Sequence, residues 1–328
     1  MSKAGSGRER PARRRWLRWT GRVLGGALVT LLVLAAAGYG AETIAQGGDA
    51  TRHPAPGKLV DVGGHRLHLR CVGSGSPTVI LDAGWGEASA TWDDVQTALA
   101  RRSLRSCSYD RAGYGWSEAG PGPRDATRAA EELHTLLERA GEKGPFVLAG
   151  HSYGGHVLRM LAHRHPERMA GMVLVDVTEA SEPAIAATRD LTSVIVGQMR
   201  LYQAAARIGL ARLFGDRLAV ADSPALATKH APVVYGPGSM GTAAEEAASF
   251  VTSSEQVHAT ERPGEWGEKP VVVIGARGSM SAGYYEGVAR LSAHGRYVAA
   301  GTERHYIHLA EPELVVGAIA EVAAASRP

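Results

Sequence analysis

A serine in a tight, glycine-flanked turn is the clearest sign of chemistry in this sequence. Residues 150–154 read Gly-His-Ser-Tyr-Gly, which matches the pattern G-x-S-x-G. The apolar run at 146–150 predicts a strand before the serine, and residues 153–165 predict a helix after it. Such a turn needs glycine where a side chain would meet backbone, and it exposes the serine hydroxyl at a helix N-terminus. Ser152 is therefore a candidate nucleophile, and an ordinary surface turn is the alternative.

A serine nucleophile needs a histidine base, and chain position narrows the choice. Most of the 13 histidines fall in a predicted linker, hairpin or helix, and His151 lies inside the turn itself. Only His305 and His308 follow the last predicted strand. That is the position expected when the chain order is serine, acid, histidine.

The acid that orients the base must lie between the serine and the histidine in this order. Asp176 stands near the end of the apolar run 172–177. In a parallel sheet the carboxyl end of that strand opens onto the same crevice as Ser152. Glu179 and Glu286 are the alternative carboxylates, and a helix cap is the alternative role for Asp176.

The elements that would position these side chains alternate along the chain. Short apolar runs predict eight strands, at residues 58–63, 65–72, 78–84, 105–110, 146–150, 172–177, 270–276 and 295–301. Helical spacing predicts helices at residues 91–102, 124–140, 153–165 and 311–325. This alternation favours an α/β fold with a mainly parallel sheet covered on both faces, and Gly63-Gly64 predicts a hairpin between the first two strands.

Residues 179–265 interrupt the alternation of strands and helices. They are rich in alanine and helical in character, with glycine and proline interruptions and no good strand. We expect a helical cap here, inserted between the sixth and seventh strands. It divides the core into residues 58–178 and 266–328.

The first 57 residues differ in composition from the rest. Residues 1–22 hold eight Lys or Arg and one Glu, while the net charge of the whole chain is +3. The basic character therefore belongs to this tail and does not indicate nucleic acid binding. Residues 23–41 carry no charge and no proline, and as a helix they would reach about 28 Å, close to the hydrocarbon thickness of a bilayer. We expect a transmembrane anchor, followed by a polar linker at residues 42–57.

The charge distribution also predicts an orientation. A basic flank stays in the cytoplasm, so everything after the anchor should lie outside it. The alternative is a signal segment cleaved near Ala35–Ala37, which would release a secreted protein. Both readings give the folded part the same compartment.

Four segments together resemble the α/β-hydrolase fold family, especially membrane-anchored members of the actinobacterial type. They are the serine turn at 150–154, LDAGWGEASATW at 81–92, YDRAGYGWS at 109–117 and RHYIHLAEPE at 304–313. The resemblance covers residues 58–178 and 266–325. It implies a mostly parallel sheet of eight strands with helices on both faces.

The resemblance assigns roles to single positions. It implies that His305 is the base, and that the backbone amides of Trp85 and Tyr153 form an oxyanion hole. The family usually has His-Gly in the oxyanion loop, whereas here Ala83 stands before Gly84. The family's histidine is not the donor, so this replacement need not abolish activity.

The acid departs from the commonest family pattern. Most members carry it after the seventh strand, but residues 275–283 contain no carboxylate. This leaves Asp176, at a position that some branches of the family use. Asp110 and Arg111, in the motif after the fourth strand, are interpreted as structural residues.

The resemblance implies a serine hydrolase that acts on a small-molecule carboxylic ester through an acyl-enzyme, without metal or cofactor. A hydrolase of C–C bonds or a peptidase would share the same triad, and a non-catalytic binding module on the same fold is a remoter alternative. Dehalogenases and epoxide hydrolases of this family are disfavoured, because they need aspartate where Ser152 stands.

The two cysteines complete the set of reactive side chains. In the strand order that the resemblance implies, Cys71 on the second strand lies beside the fourth strand, which carries Cys107. Neighbouring strands are close enough for a disulfide, and an oxidising compartment would preserve it. Two buried thiols are the alternative.

Overall fold

The computed structural model describes residues 10–218, 232–233 and 236–327, and it contains an eight-stranded sheet. The eight predicted strands are all present: β1 (Lys58–Asp61), β2 (Arg66–Val72), β3 (Val79–Asp82), β4 (Ser106–Tyr109), β5 (Phe146–His151), β6 (Met169–Val175), β7 (Val271–Gly275) and β8 (Gly295–Ala299). Their order across the sheet is β1-β2-β4-β3-β5-β6-β7-β8. β2 pairs antiparallel with β1 and β4, and the other neighbours are parallel. The predicted α/β architecture is confirmed.

The α-helices whose bounds fall in the described residues are, in chain order, α1 (Arg10–Arg52), α2 (Asp93–Arg101), α3 (Ala126–Arg139), α4 (Gly154–Arg164), α5 (Glu182–Arg207), α6 (Leu210–Leu218), α7 (Pro237–Ala248), α8 (Phe250–His258), α9 (Ala282–Ala289), α10 (Ile307–Ala310) and α11 (Pro312–Ala325). The predicted helices of the core correspond to α2, α3, α4 and α11. Asp125 begins α3, because its carboxylate accepts a hydrogen bond of 2.9 Å from the amide of Arg128.

The core lies in two layers, one on each face of the sheet. Alternate residues of β5 enter different layers, as the pleat requires. Phe146 and Leu148 pack with residues of α3 and α4, whereas Val147 packs with residues of α2 and α11. Because β5 is buried along its whole length, the turn that follows it is held rigidly.

The insertion between β6 and β7 is helical. It contains α5, α6, α7 and α8, and residues 219–231 and 234–235 of the predicted cap lie outside the described residues. α5 packs against α7 and α8. α8 in turn packs against α3 and α4, so the insertion is joined to the core on the side of the serine turn.

The N-terminal helix α1 is longer than the predicted anchor. It continues through Arg52, so only residues 53–57 of the predicted linker are non-helical. The extension has a physical cause, because Glu42 and Asp49 both form ion pairs with Arg212 of α6. Within α1, the segment Arg15–Asp49 is long and apolar enough to cross a membrane, as judged by length and composition, and signal sequences share these properties. Residues 1–9 of the basic tail lie outside the described residues.

The two cysteines form a disulfide. Cys71 of β2 and Cys107 of β4 are register partners in the antiparallel pair, and their sulfur atoms are bonded. Cys107 is fully buried. The disulfide alternative is therefore the one that the structure contains.

Candidate active site

Ser152 lies in the turn between β5 and α4 with a backbone φ of +49°, in the left-handed region. Glycine is required on both sides of it. A Cβ on Gly150 would lie 2.9 Å from the backbone of Gly154, and a Cβ on Gly154 would lie 2.5 Å from the carbonyl oxygen of Asp82. These contacts leave no room for side chains. The packing therefore explains the pattern G-x-S-x-G, and Ser152 itself stays partly exposed.

Asp176 lies beside Ser152 at the carboxyl ends of two neighbouring strands of the sheet. The two residues directly follow β5 and β6, and the last residues of these strands are register partners. Asp176 also has a positive φ, +42°. One carboxylate oxygen, Oδ1, accepts hydrogen bonds from the amide of Ala276 at 2.9 Å and from the hydroxyl of Tyr285 at 3.1 Å. These bonds fix the orientation of the carboxylate.

The other oxygen of Asp176 contacts His305. Nδ1 of His305 is 2.6 Å from Oδ2 of Asp176. Burial raises the pKa of Asp176, but the hydrogen bonds from His305 and Ala276 lower it by more than burial raises it. The net pKa is therefore below its usual range. The carboxylate is therefore ionised at neutral pH and accepts the Nδ1 proton, which leaves Nε2 of a neutral ring as the basic nitrogen.

A second contact joins the His305 loop to the serine turn. Nε2 of His151 is 3.1 Å from the backbone oxygen of His305, and because a carbonyl only accepts, the nitrogen donates. The two imidazole rings lie 4.6 Å apart. His151 directly precedes Ser152 in the chain, so this contact attaches the segment that carries His305 to the serine turn. The side chain of His305 is 47% exposed, which leaves it accessible to a substrate.

The alternative acids lie in other environments. The carboxylate of Glu179 accepts hydrogen bonds from the hydroxyls of Ser181 and Ser281. Glu286 is an exposed residue of α9 and lies 3.8 Å from Arg290. Of the three candidate carboxylates, the structure brings Asp176 to His305.

The two amides predicted as an oxyanion hole belong to adjoining segments. Tyr153 follows Ser152 at the start of α4, and Trp85 lies in the loop after β3. That loop packs on the serine turn, since a Cβ on Gly84 would lie 2.9 Å from Nδ1 of His151. Among the described residues, neither the amide of Trp85 nor that of Tyr153 has a backbone or side-chain acceptor.

The oxyanion loop is held from two sides. The amide of Gly84 donates to Glu87 at 2.9 Å within the loop. The ring Nε1 of Trp85 donates to the carbonyl oxygen of Ala243, in α7, at 2.9 Å. The insertion therefore contributes directly to the position of the loop.

A buried charge network below the loop was not predicted from the sequence. Arg111 donates to the carboxylates of Asp82 and Glu246, each at 2.7 Å, and to the carbonyl oxygens of Ala83 and Gly84. All three charged side chains are almost fully buried. Burial raises the pKa of Asp82 to about 6 against the opposing charge of Arg111. Arg111 is thus structural, as interpreted, and its partner Glu246 lies in the insertion.

Asp110, the neighbour of Arg111, is also held within the core. Its carboxylate accepts hydrogen bonds from the amides of Ser89 and Trp116, at 2.6 and 3.0 Å. Nδ1 of His68 lies 2.9 Å from Oδ2 of the same carboxylate. These contacts agree with the structural interpretation of Asp110.

One cluster beside the site has the residue types of a metal centre. Glu87, His151 and His308 each offer a ligand atom, and these atoms lie within 4.8 Å of one another. His308 is fully buried and stacks on Trp92, with ring centroids 4.5 Å apart, and burial lowers its pKa well below the usual range. Nδ1 of His151 lies 3.4 Å from the carboxylate of Glu87, so these two side chains already contact each other, whereas neither ring nitrogen of His308 has a hydrogen-bond partner among the described residues.

The whole of this site falls inside a match to a known family. Residues 77–312 match the family model described as alpha/beta hydrolase fold, which is more than two thirds of the chain. The chain belongs to this α/β-hydrolase family. Among curated proteins it is similar to one from Hormonema carpetanum named "Probable transporter efuK", at 38% identity over 40% of this chain and 20% of the other. The chain covers less than half the length of the first curated relatives that it matches.

Solved structures with the same fold include different hydrolases. An esterase from Thermogutta terrifontis superposes with a TM-score of 0.63 at 20% identity, over 83% of this chain and 99% of the other. The enol-lactonase from Burkholderia xenovorans gives 0.60 at 20% identity, over 81% and 99%. The epoxide hydrolase CorEH gives 0.62 at 21% identity, over 82% and 99%. At these identities the likeness concerns the fold alone.

Proposed function

We propose that this protein hydrolyses carboxylic esters with Ser152 as nucleophile, His305 as base and Asp176 as the acid that orients the base. The observation that carries the proposal is the 2.6 Å contact between Nδ1 of His305 and Oδ2 of Asp176, beside the serine turn. A histidine held in this way presents Nε2 to a serine hydroxyl. The family supplies the hydrolase class, and the side chains supply the reaction type.

In the proposed reaction, Nε2 of His305 takes the proton of Ser152 while Oγ attacks the carbonyl carbon of the ester. Negative charge develops on the carbonyl oxygen, and the amides of Trp85 and Tyr153 stabilise it. His305 then protonates the leaving alcohol, and an acyl-enzyme remains. Water, activated by the same histidine, releases the acid and restores Ser152.

The nucleophile favours esters over epoxides, although an epoxide hydrolase shares the fold. Attack of a serine hydroxyl on an epoxide carbon would give an ether, which water does not cleave as it cleaves an ester. Attack on an ester gives an acyl-enzyme that water can hydrolyse. C–C bonds and peptides remain alternative substrates of the same triad.

We also propose that residues 23–41 anchor the protein in a membrane, with the catalytic part outside the cytoplasm. Three observations support this: an exposed apolar segment, the basic residues before it, and a disulfide that suits an oxidising compartment. The remaining parts of the chain are then a basic tail at 1–22, a linker at 42–57, a core at 58–178 and 266–328, and a cap at 179–265. A mature chain that starts near residue 38 would instead select a cleaved signal.

The direct test uses p-nitrophenyl esters of rising acyl length. Ser152→Ala should abolish hydrolysis of every ester in the series and leave the thermal unfolding temperature nearly unchanged. Ser103→Ala is the matched control, because Ser103 also has a positive φ but lies in the turn between α2 and β4. More than a trace of activity in Ser152→Ala would contradict the assignment.

A further inference from the structure

The exposed apolar side chains of this protein are unevenly distributed. Outside α1, all but two of the large apolar side chains exposed in the described residues lie on α5 or α6. They include Leu191, Val194 and Leu201 of α5, which helical spacing puts on one face. They also include Leu210, Leu213 and Phe214 of α6, of which Leu213 is 71% exposed. Exposed large apolar side chains that are grouped on two adjoining helices are typical of a site of interaction.

The structure also fixes this surface next to the proposed anchor. Gly38 of α1 packs on the connection between α5 and α6, since a Cβ there would lie 2.5 Å from the carbonyl oxygen of Ile208. Arg212 of α6 donates to Glu42 at 2.8 and 2.9 Å and to Asp49 at 2.6 and 3.1 Å. Both carboxylates follow the apolar segment of α1. The helix is thus attached to the insertion by close packing and by ion pairs.

This attachment sets the depth of the insertion relative to a bilayer. Residues 23–41 are just long enough, at about 1.5 Å per residue, to cross a hydrocarbon layer of about 30 Å. Gly38 therefore lies near its outer edge, and so does Ile208, which contacts it. Leu210 and Leu213 follow within two turns of helix and would meet the same boundary. Exposed Arg200 and Arg207 of α5 are suited to lipid phosphates there.

The insertion that carries this surface also contacts the active site. Trp85 of the oxyanion loop bonds to Ala243 of α7. The ring of Phe250, at the start of α8, lies 5.2 Å from the ring of Tyr153 and 6.4 Å from that of Trp85. Because α5 packs on both α7 and α8, the apolar surface and the two proposed oxyanion residues share one packed unit.

We propose that α5 and α6 rest on the outer surface of the membrane, and that the enzyme takes a lipophilic acyl ester from the bilayer. The occupant of the apolar surface is the lipid, because the anchor is attached to that surface at the level of the bilayer edge. This inference rests on the proposed esterase function for the substrate, and on the anchor for the geometry.

The first experiment measures docking without reference to activity. The full-length chain, in liposomes that contain doxyl-labelled lipids, carries one environment-sensitive fluorophore at Leu213→Cys. The matched control is Glu268→Cys, an exposed position just before β7, near the amino ends of the parallel strands and so at the opposite end of the sheet from Ser152. We expect blue-shifted emission and strong quenching at 213 and neither at 268. A blue shift without quenching would mean that protein covers the surface, either residues 219–231 or a second copy, and would overturn the proposal, as would no shift.

The second experiment tests substrate delivery. The double variant Leu213→Ser/Phe214→Ser should raise KM for a long-chain ester embedded in the liposomes by roughly tenfold or more. Its hydrolysis of soluble p-nitrophenyl acetate should change by less than about twofold, and Leu59→Ser, an exposed apolar position on β1, should change neither rate. Equal loss on both esters, or no loss on either, would overturn delivery from the bilayer. If the wild type hydrolyses neither ester, the esterase proposal and the substrate fail together, while quenching still decides the docking.

Discussion

The carboxyl ends of the central strands and the helical insertion position their side chains in different ways. At the strand ends, the backbone determines the geometry: Ser152 and Asp176 directly follow adjacent strands, and both have a positive φ. In the insertion, α5 is held mainly by one face and leaves Leu191, Val194 and Leu201 exposed on another. Rigid strand ends suit residues that must meet within tenths of an ångström. A helix face suits contact with a partner that has no fixed shape.

Several contacts join the two regions, and two of them support the oxyanion loop. Arg111 of the core reaches Glu246 of α7, and Trp85 reaches the backbone of the same helix. Through these contacts the insertion becomes part of the support of the proposed oxyanion hole. We therefore expect large effects for substitutions at the ends of the strands, intermediate ones for the charged contact between the regions, and smaller ones for a neutral contact between them.

The largest effect is expected at the acid. Asp176→Asn should lower kcat by about 10⁴, because the imidazole loses its correct tautomer and the stabilisation of its charge. Glu286→Gln, on exposed α9, is the control and should leave kcat nearly unchanged. The measurement is steady-state kinetics on the best p-nitrophenyl ester. The opposite pattern, with Glu286→Gln severe, would move the acid to the segment after β7.

The next effect concerns the contact between the two regions. Arg111→Leu should lower the free energy of unfolding by about 3–5 kcal/mol, because it leaves the buried carboxylates of Asp82 and Glu246 without a partner. Arg277→Leu removes an exposed ion pair with Glu303 and should cost less than about 1 kcal/mol. Chemical denaturation of both variants makes the comparison. Similar losses in the two would show that the network does not hold the insertion to the core.

A smaller effect should appear with pH. His156 of α4 is fully buried and bonds to Ser254 of α8, and burial lowers its pKa to about 3. The folded state keeps the ring neutral while the unfolded chain takes up a proton near pH 6.5, so its contribution is complete above that pH and is lost as the pH falls toward 3. By pH 5 the loss is about 2 kcal/mol.

The variant His156→Gln isolates this contribution. The free energy of unfolding should fall less between pH 7 and pH 5 in His156→Gln than in the wild type, by that same amount. His294→Gln, at an exposed position before β8, should keep the wild-type slope. Parallel slopes in His156→Gln and the wild type would mean that His156 is protonated in the folded state.

Much of the arrangement at the strand ends could be predicted from the sequence, because the sequence patterns that indicate it are local. The apolar runs predicted all eight strands, and the glycines around Ser152 predicted the turn. The position of Asp176 near Ser152 could be predicted because Asp176 stands at the end of a predicted strand. His305 was distinguished from His308 only by the family resemblance, since both follow β8.

The contacts of the insertion could not be predicted in the same way. Glu246 meets Arg111 across 135 positions of the chain, and no local pattern marks such a pair. The extension of α1 to Arg52 depends on Arg212, which follows it by 160 residues or more. The burial of Glu87 with two histidines is likewise a product of three separate segments. Long-range pairs of this kind become visible only in the folded chain.

The most direct test of Ser152 as the nucleophile is covalent labelling with a fluorophosphonate probe, followed by peptide mapping by mass spectrometry. Such probes react with a serine that a neighbouring base has activated, whatever the natural substrate is. We expect one adduct, on Ser152, which is lost in His305→Ala even though that variant keeps the serine. Absence of labelling in the folded wild type, or an adduct on another serine, would contradict it.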